Sequence, residues 1–595
     1  MALRPGDAVG IIMPMTPECV AIYLGIILAG CVVVSIADSF SPVEMEARLR
    51  IGNAVVVFTQ DVVKRGKKGL PLLPRVQKAC DHLERTHKKK RPRIVVVMQR
   101  DYYYYYDYDD DRGREERRGE NNNNSNTTTS SMMHPQDMTW DSFLNNNNNY
   151  YNNNNNNHNT AIPSVSTKCH SADAYDTTNI LFSSGTTGEP KAIPWTHITP
   201  IRCATDAFFH QDIRPGDVLC WPTSIGWMMG PWLVYASLMN GAAMALFQGA
   251  PTGREFGRFV EAAGVTCLGL VPSIVSAWRG VSANSNNNSN TSNSGGSCMD
   301  GLCWDSIRTF SSTGEASSPE DYFWLSGRVK GYCPIIEYCG GTEIGGAYMS
   351  GTALLPCSPS VFNTPCIASC PVIIMRENNN KRGGEVEMSP HGEDSSPVTG
   401  EVSLAAPMLG ISQRLLNRDH KKLYYDGMPS SGGKSKGRWY VLRRHGDEME
   451  RLPGWGGMRY RARGRVDDAM NLGGIKVGSV ELEQAVMEGL GEARVVEVAA
   501  VGVPSGGGRG GRGGPEKLVL FLVLTEKGGG QDGEKMDMLL MECRKVVAGR
   551  LNPLFRVEKV VLMKSLPRTS SGKVLRRTLR EQEIGMQRGG SRSRM

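Results

Sequence analysis

Ile180-Leu181-Phe182 runs straight into Ser183-Ser184-Gly185-Thr186-Thr187-Gly188-Glu189-Pro190-Lys191, and this junction constrains the fold more than any other stretch. The apolar triplet predicts the end of a buried strand. Two glycines let the backbone turn tightly behind it, so that several N–H groups point into one concavity. Two serines and two threonines add hydroxyl donors, and Lys191 adds a mobile positive charge. Such a loop suits a polyphosphate. It is not a Walker A loop, because Lys191 follows Pro190 and G-x-x-x-x-G-K-[S/T] cannot be laid on it. An isolated Gly-Thr-Thr-Gly would read as a polar surface loop, but the nine-residue string is far more specific. A phosphate loop at a strand end needs a sheet to hang from.

The flanking sequence supplies one. Residues 8–100 alternate helical runs with strand-like ones such as Ala54-Val55-Val56-Val57-Phe58 and Ile94-Val95-Val96-Val97-Met98, a βα rhythm that predicts a parallel sheet with helices on its faces. The rhythm resumes after the loop at Val218–Trp221, Ala242–Phe247 and Val265–Leu270. The fold class is therefore α/β. Cys19 to Ala37 is a run of 19 residues without a charge, long enough for a membrane helix. Gly25 and Gly30 divide it, and Val32-Val33-Val34 is β-branched, so the pattern predicts a helix over Glu18–Ala29 capped by Gly30 and then a short strand, with no transmembrane segment.

With 595 residues and 40% apolar content the chain can build a sizeable core in more than one domain. The net charge of +8 is modest, and its clusters at His87–Arg93 and Arg568–Met595 read as solvated charge, not as a nucleic-acid surface. Fifteen cysteines form no C-x-x-C pair; Cys298/Cys303 and Cys366/Cys370 lack the second half of a zinc site. Dispersed thiols of this kind suit a reducing compartment. The Tyr, Asp and Asn tracts of about 101–131 and 145–160, and the polar insert of about 282–297, cannot specify a packed core. Met138–Leu144 reads as an ordered segment between them. The glycine- and arginine-rich run of about 505–514 reads as a hairpin loop, since strand-like Leu518–Leu524 follows it.

Four further strings carry chemistry. Ser311-Ser312-Thr313-Gly314-Glu315-Ala316 is a short polar turn able to lie flat against a purine. In Tyr338-Cys339-Gly340-Gly341-Thr342-Glu343-Ile344-Gly345-Gly346 a hydroxyl and a carboxylate sit side by side among glycines, a pairing that can hold a hydrated Mg2+ against phosphate oxygens. His445-Gly446-Asp447-Glu448, followed by Gly464-Arg465-Val466-Asp467-Asp468, offers a carboxylate for both hydroxyls of a ribose and an Arg for a further contact. Pro567-Arg568-Thr569-Ser570-Ser571-Gly572-Lys573 offers a lysine in a loop, which alone would be surface charge.

Taken in this order, the five strings resemble the AMP-forming acyl-activating (adenylate-forming, acyl-CoA synthetase) enzymes, and are most similar to plant peroxisomal members of the acetyl-CoA synthetase-like branch. The resemblance covers most of residues 5–100 and 170–583. It implies a large N-terminal adenylate-forming domain over 1–466, shorter at its front than the family's, and a small mobile α/β domain over 467–583, with 584–595 a basic tail. It places the phosphates of ATP on Ser183, Ser184, Gly185, Thr186, Thr187, Gly188 and Lys191, and adenine on Gly314, Glu315 and Ala316. Asp447 and Arg465 take the ribose, Glu343 the Mg2+ and Thr342 the α-phosphate. Asp467 becomes the hinge, and Lys573 the adenylation lysine on the small domain. Gly473, Gly474 and Lys476 present themselves to the pantetheine of CoA, although acetate-activating relatives have Arg where Lys476 stands.

The acyl pocket follows from the same resemblance. Acetate-activating relatives close it with a Trp two positions before the Thr of the Thr-Glu pair, where this chain has Gly340. With Trp227, Met228, Met229 and Thr313 lining the same space, the expectation is a medium-chain or bulky acid in preference to acetate. Ser593-Arg594-Met595 resembles the Ser-Lys-Leu peroxisomal terminus and implies an import receptor as partner; without it the location is cytoplasmic. The expected activity is an ATP-dependent acid–CoA ligase. The alternatives are adenylation with transfer to a carrier protein or amine, and a truncated, non-catalytic paralogue that acts by binding.

Overall fold

The computed structural model describes residues 3–65, 68–98, 133–144, 169–183, 189–279, 297–315, 317–369, 372–377, 386–389, 398–405, 408–428, 442–452, 459–465, 469–491, 494–504, 516–525, 533–568 and 574–592. The opening βα alternation forms a seven-stranded sheet in the order Met138–Thr139, Arg93–Val97, Val56–Gln60, Ala8–Ile12, Val32–Ser35, Thr177–Ser183 and Lys191–Thr196. All neighbours are parallel except the last pair. Helix Pro17–Leu28 begins where the Thr16 hydroxyl accepts the Cys19 N–H. Gly30 follows with φ +74°, a backbone that leaves no room for a side chain beside His170. The uncharged run is thus a helix with one buried face followed by a buried strand, and no helix among the described residues is long and apolar enough to cross a membrane.

The second seven-stranded sheet runs Ala243–Ala245, Val218–Cys220, Cys267–Leu270, Thr309–Thr313, Ile335–Gly341, Gly346–Ser350 and Thr364–Pro365. Its first five strands are parallel; a hairpin at Thr342–Gly345 turns the last part antiparallel. A third, antiparallel sheet of six strands includes Val398–Ala405, Leu442–Leu452 and Arg459–Arg465. The small C-terminal unit has a two-stranded ribbon, Ala469–Leu472 with Ile475–Gly478, and a three-stranded sheet backed by helices Ser479–Leu490, Gly533–Arg550 and Arg576–Arg592. Strands Val495–Pro504 and Glu516–Leu524 pair antiparallel, with Pro504 opposite Glu516, so the glycine- and arginine-rich run joins the arms of a hairpin. The fourteen described cysteines are all free thiols.

Buried aromatics carry much of the large unit's core. Trp221, Trp232 and Tyr338 follow one another at centroid distances of 5.4 and 5.6 Å. Beneath the Thr342–Gly345 hairpin lies a buried polar knot. Asp206 Oδ2 accepts from the Tyr338 hydroxyl at 2.6 Å and from the Ala347 N–H at 2.9 Å, while Arg202 lies 3.5 Å from Oδ1 and donates to the Ala347 carbonyl. Helix Thr199–Phe209 is thereby fastened to both arms of the hairpin. Removing one member of a fully buried charge pair strands the other. Asp206→Ala is expected to cost about 3–5 kcal/mol of unfolding free energy by denaturant titration, whereas Lys330→Ala, at an exposed pair, should leave the unfolding midpoint essentially unchanged.

Candidate functional site

One cavity of about 1480 Å3 lies between the large and small units. Ser183 and Lys191 are cross-strand partners, so the loop between them closes a hairpin at the end of a parallel sheet. Residues 184–188 of that loop lie outside the described residues. Its two ends meet Glu343. The Lys191 ammonium is 3.2 Å from Glu343 Oε1, and Ser183 Oγ donates to the same oxygen at 3.3 Å. The carboxylate stands on a single 3-10 turn, Thr342–Ile344, closed by Gly345 at φ +63°. The Trp195 indole N–H donates to the Thr342 carbonyl at 2.8 Å and the Ser412 N–H to the Glu343 carbonyl at 2.8 Å, fixing the turn from both sides. Burial alone would raise the Glu343 carboxyl. The positive charges of Lys191, Lys476 and Arg443 outweigh it and hold the group well below the usual carboxylate range.

Asp447 lines the same cavity. Its Oδ2 accepts from the Tyr348 hydroxyl at 2.7 Å and lies 3.1 Å from His445 Nε2, and Cys339 Sγ is 3.2 Å from the same hydroxyl. Arg465 is the register partner of Asp447 across the strand pair; its side chain lies outside the described residues. Gly314 has φ +85°, and a Cβ there would come within 3.1 Å of Gly474 Cα. The expected adenine turn and the expected CoA turn therefore touch. Glu315 joins them further: its Oε2 accepts the Ser273 N–H and its Oε1 the Gly474 N–H, both at 3.0 Å. The Glu315 carboxylate thus faces two backbone amides, one on each unit.

Trp227, Met228 and Met229 line the cavity together with Thr313 and Gly340. Trp227 also packs on Phe40, with centroids 5.0 Å apart, and on the core of the small unit. At Gly340 a Cβ would fall 1.9 Å from the Gly346 carbonyl oxygen, at a bulge in the strand pair. The position is glycine because backbone occupies the side-chain space, so an indole cannot be added there without moving the hairpin. Thr342, Gly473, Gly474 and Lys476 also line the cavity, whereas Ala316, Asp467 and Lys573 lie outside the described residues. Sequence reasoning missed Tyr348, which holds Asp447, and Tyr424, whose hydroxyl donates to Glu343 Oε1 at 3.1 Å. Neither belongs to a motif. It also missed Glu337, buried on the cavity wall and accepting the Ser360 N–H at 3.1 Å, whose carboxyl burial pushes up to about 7.

The two units meet along a polar seam. Ser41 caps helix Pro42–Gly52 through its hydroxyl, donates that hydroxyl to the Arg550 carbonyl at 2.6 Å, and gives its N–H to the Leu551 carbonyl at 3.1 Å. One residue thus serves the orphan groups of two helix ends. Burial pushes the Glu315 carboxyl up to about 7 against its two N–H donors, and burial beside Glu44 raises Glu481 despite Arg48. Both groups are more basic docked than exposed. Protonation therefore favours the docked arrangement below about pH 4.5, and docking weakens as pH rises through the raised values. Energy transfer between dyes on the two units should fall between about pH 5 and 8, and Glu315→Gln should flatten that profile. A wild-type signal that rises with pH over this range would contradict the assignment.

Comparison with known proteins completes the picture. The family model described as "AMP-binding enzyme" matches residues 1–388, and "AMP-binding enzyme C-terminal domain" matches residues 481–573. The chain is 42% identical over 583 residues to "Probable acyl-activating enzyme 17, peroxisomal" of Arabidopsis thaliana, covering 98% of this chain and 68% of that protein. It is 42% identical over 582 residues to "Hexanoyl-CoA synthase" of Cannabis sativa, with the same coverage of 98% and 68%. Among solved structures, an acetoacetyl-CoA synthetase from Streptomyces lividans shares the fold with a TM-score of 0.60 at 19% identity, over 100% of this chain and 79% of that one. A large unit of parallel sheets, a small α/β unit and a cavity between them accord with these matches, and the chain belongs to the AMP-binding enzyme family as an AMP-forming acid–CoA ligase, an acyl-CoA synthetase whose substrates are a carboxylic acid, ATP and CoA.

Proposed function

We propose that this ligase activates a medium-chain or bulky carboxylic acid at the cavity between its two units, in a peroxisome, with the roles that follow. The observation that carries the reading is the convergence of Ser183 and Lys191 on Glu343, in a cavity lined by Ser183 and Glu343 of the large unit and by Gly474 and Lys476 of the small unit. In the first half-reaction a carboxylate oxygen of the acid bonds to the α-phosphorus of ATP, and the bond from that phosphorus to the bridging oxygen breaks. Pyrophosphate leaves toward Ser183–Lys191. Lys191 neutralises the departing charge, Thr342 contacts the α-phosphate, and Lys573 arrives on the small domain to complete the cation ring. Asp447 and Arg465 hold the ribose and Gly314–Ala316 border the adenine.

Mg2+ fits this site. Glu343 is ionised, and it stands beside the Thr342 hydroxyl in a wall that faces the cavity, an oxygen donor set suited to a hard, partly hydrated cation. When bound, the ion would neutralise phosphate charge. In the second half-reaction the CoA thiolate, threaded past Gly473, Gly474 and Lys476, bonds to the acyl carbon; the acyl–phosphate C–O bond breaks and AMP leaves. The seam between Glu315 and Gly474 holds the small domain in the orientation that presents this turn. The acid assignment rests on the apolar wall of Trp227, Met228 and Met229, and one relative is named a hexanoyl-CoA synthase. The location rests on a relative named peroxisomal.

The test is pyrophosphate release by purified protein across an acid panel, with and without CoA. Six-to-twelve-carbon and aryl-alkanoic acids are expected to exceed acetate in kcat/KM by about tenfold or more. Lys573→Ala should lower acid-dependent pyrophosphate release by about 100-fold or more while sparing thioester formation from supplied acyl-AMP. Highest kcat/KM on acetate would refute the acid assignment, and release indifferent to CoA would favour another acceptor. No release from folded protein would favour a binding role.

A further inference from the structure

Tyr424 and Arg443 flank Glu343 and belong to none of the motifs above; the Lys191 ammonium lies 5.7 Å from the Tyr424 ring centroid. Three donors converge on Glu343 Oε1: Ser183 Oγ at 3.3 Å, Lys191 Nζ at 3.2 Å and the Tyr424 hydroxyl at 3.1 Å. The other oxygen, Oε2, receives none of these three donors, and a Cβ built on the cavity-lining Gly341 would come within 3.3 Å of it. Ser183 and Lys191 frame the phosphate loop, so a bound polyphosphate competes for both. Tyr424 belongs to neither end of that loop. It comes from the short helix His420–Tyr424 and is 6% exposed. The Arg443 guanidinium carbon lies 3.8 Å from its ring centroid, and the His420 ring packs against it at 5.1 Å. Arg443 is itself 2% exposed, and none of its three guanidinium nitrogens makes a hydrogen bond of ordinary geometry to the described residues. Its buried charge is therefore directed at the face of the tyrosine ring, a contact that desolvation strengthens. The same loop also grips the Glu343 backbone: His420 Nε2 is 3.2 Å from the Ser412 carbonyl, and the Ser412 N–H donates to the Glu343 carbonyl at 2.8 Å.

We propose that Tyr424, pinned by Arg443, is a positioning residue that keeps Glu343 oriented with Oε2 toward the cavity while Lys191 and Ser183 turn to the nucleotide. The proposal rests on the reading of Glu343 as the Mg2+ carboxylate. Without Tyr424, loss of the other two donors would free the carboxylate to rotate, and the oxygen offered to the ion would no longer be fixed in advance.

The test is equilibrium binding, in the absence of acid, of an ATP analogue with a non-cleavable α,β-bridge, titrated with Mg2+ by calorimetry. AMP binding without Mg2+ serves as the control for an intact adenosine pocket. Tyr424→Phe removes one hydrogen bond to a charged group and should raise the Mg2+ concentration for half-maximal analogue binding by about tenfold. AMP affinity should stay within about twofold, which a general loss of packing would not permit. Arg443→Lys should shift the Mg2+ requirement less than Arg443→Met; if the Met variant does not fold, Tyr424→Phe decides alone. Glu343→Gln separates the two readings. If it leaves the Mg2+ requirement unchanged, the Glu343 assignment fails and this inference with it. If it shifts the requirement while Tyr424→Phe does not, the inference alone is overturned.

Discussion

Three sheets converge on one buried carboxylate. Lys191 reaches Glu343 from the first sheet, Glu343 hangs from the hairpin of the second, and Arg443 comes from a strand of the third. A carboxylate this buried costs several kcal/mol to ionise, while opposite charges about 4 Å apart attract by about 4 kcal/mol at an effective dielectric near 20. One cation would barely compensate. Three positive charges within reach tip the balance, and the group stays charged. The arrangement contributes little net stability, because its terms nearly cancel. Its consequence is geometric: the sheets must keep their mutual placement for the charges to be neutralised, so the site and the packing of the large unit depend on one another.

The second constraint is the seam. Ser41 and Glu315 each satisfy backbone groups on both units, Ser41 at the carbonyls of Arg550 and Leu551, Glu315 at the N–H groups of Ser273 and Gly474. Unpaired backbone groups in such a place are costly. The docked orientation is therefore specified by complementary polar ends, with Trp227 supplying an apolar contact shared between the cores of both units.

Much of this was legible in the chain. The strand before the phosphate loop, the division of the uncharged run at Gly30 and the paired Thr342–Glu343 all depend on local sequence, where glycine, β-branching and charge act within a few residues. Tyr424, Arg443 and Tyr348 were not legible, because each acts on a carboxylate remote in sequence and no spacing rule connects them. Glu315 shows the intermediate case. Its turn was recognised, but the direction of its carboxylate is set by the approach of Gly474, 159 residues later. Gly340 differs again. Sequence comparison treats it as a missing indole, whereas the structure shows a backbone carbonyl where any side chain would begin.

The seam also combines electrostatic contributions of opposite sign. Ionised Glu315 and Glu481 oppose docking because burial penalises their charged forms. Lys476 favours it, since its charge helps to hold Glu343 below the usual carboxylate range. The proposed reaction has the small domain leave to deliver Lys573 and return to present Gly474; such a cycle needs orientations within a few kcal/mol of one another, since a gap of about 5.5 kcal/mol already separates 99:1 from 1:99. A seam of purely apolar contacts would lock the lid in one orientation. Ionisable groups buried at the moving boundary reduce the net gain of closure while leaving its hydrogen bonds specific, so the domain closes in a defined orientation without being trapped there.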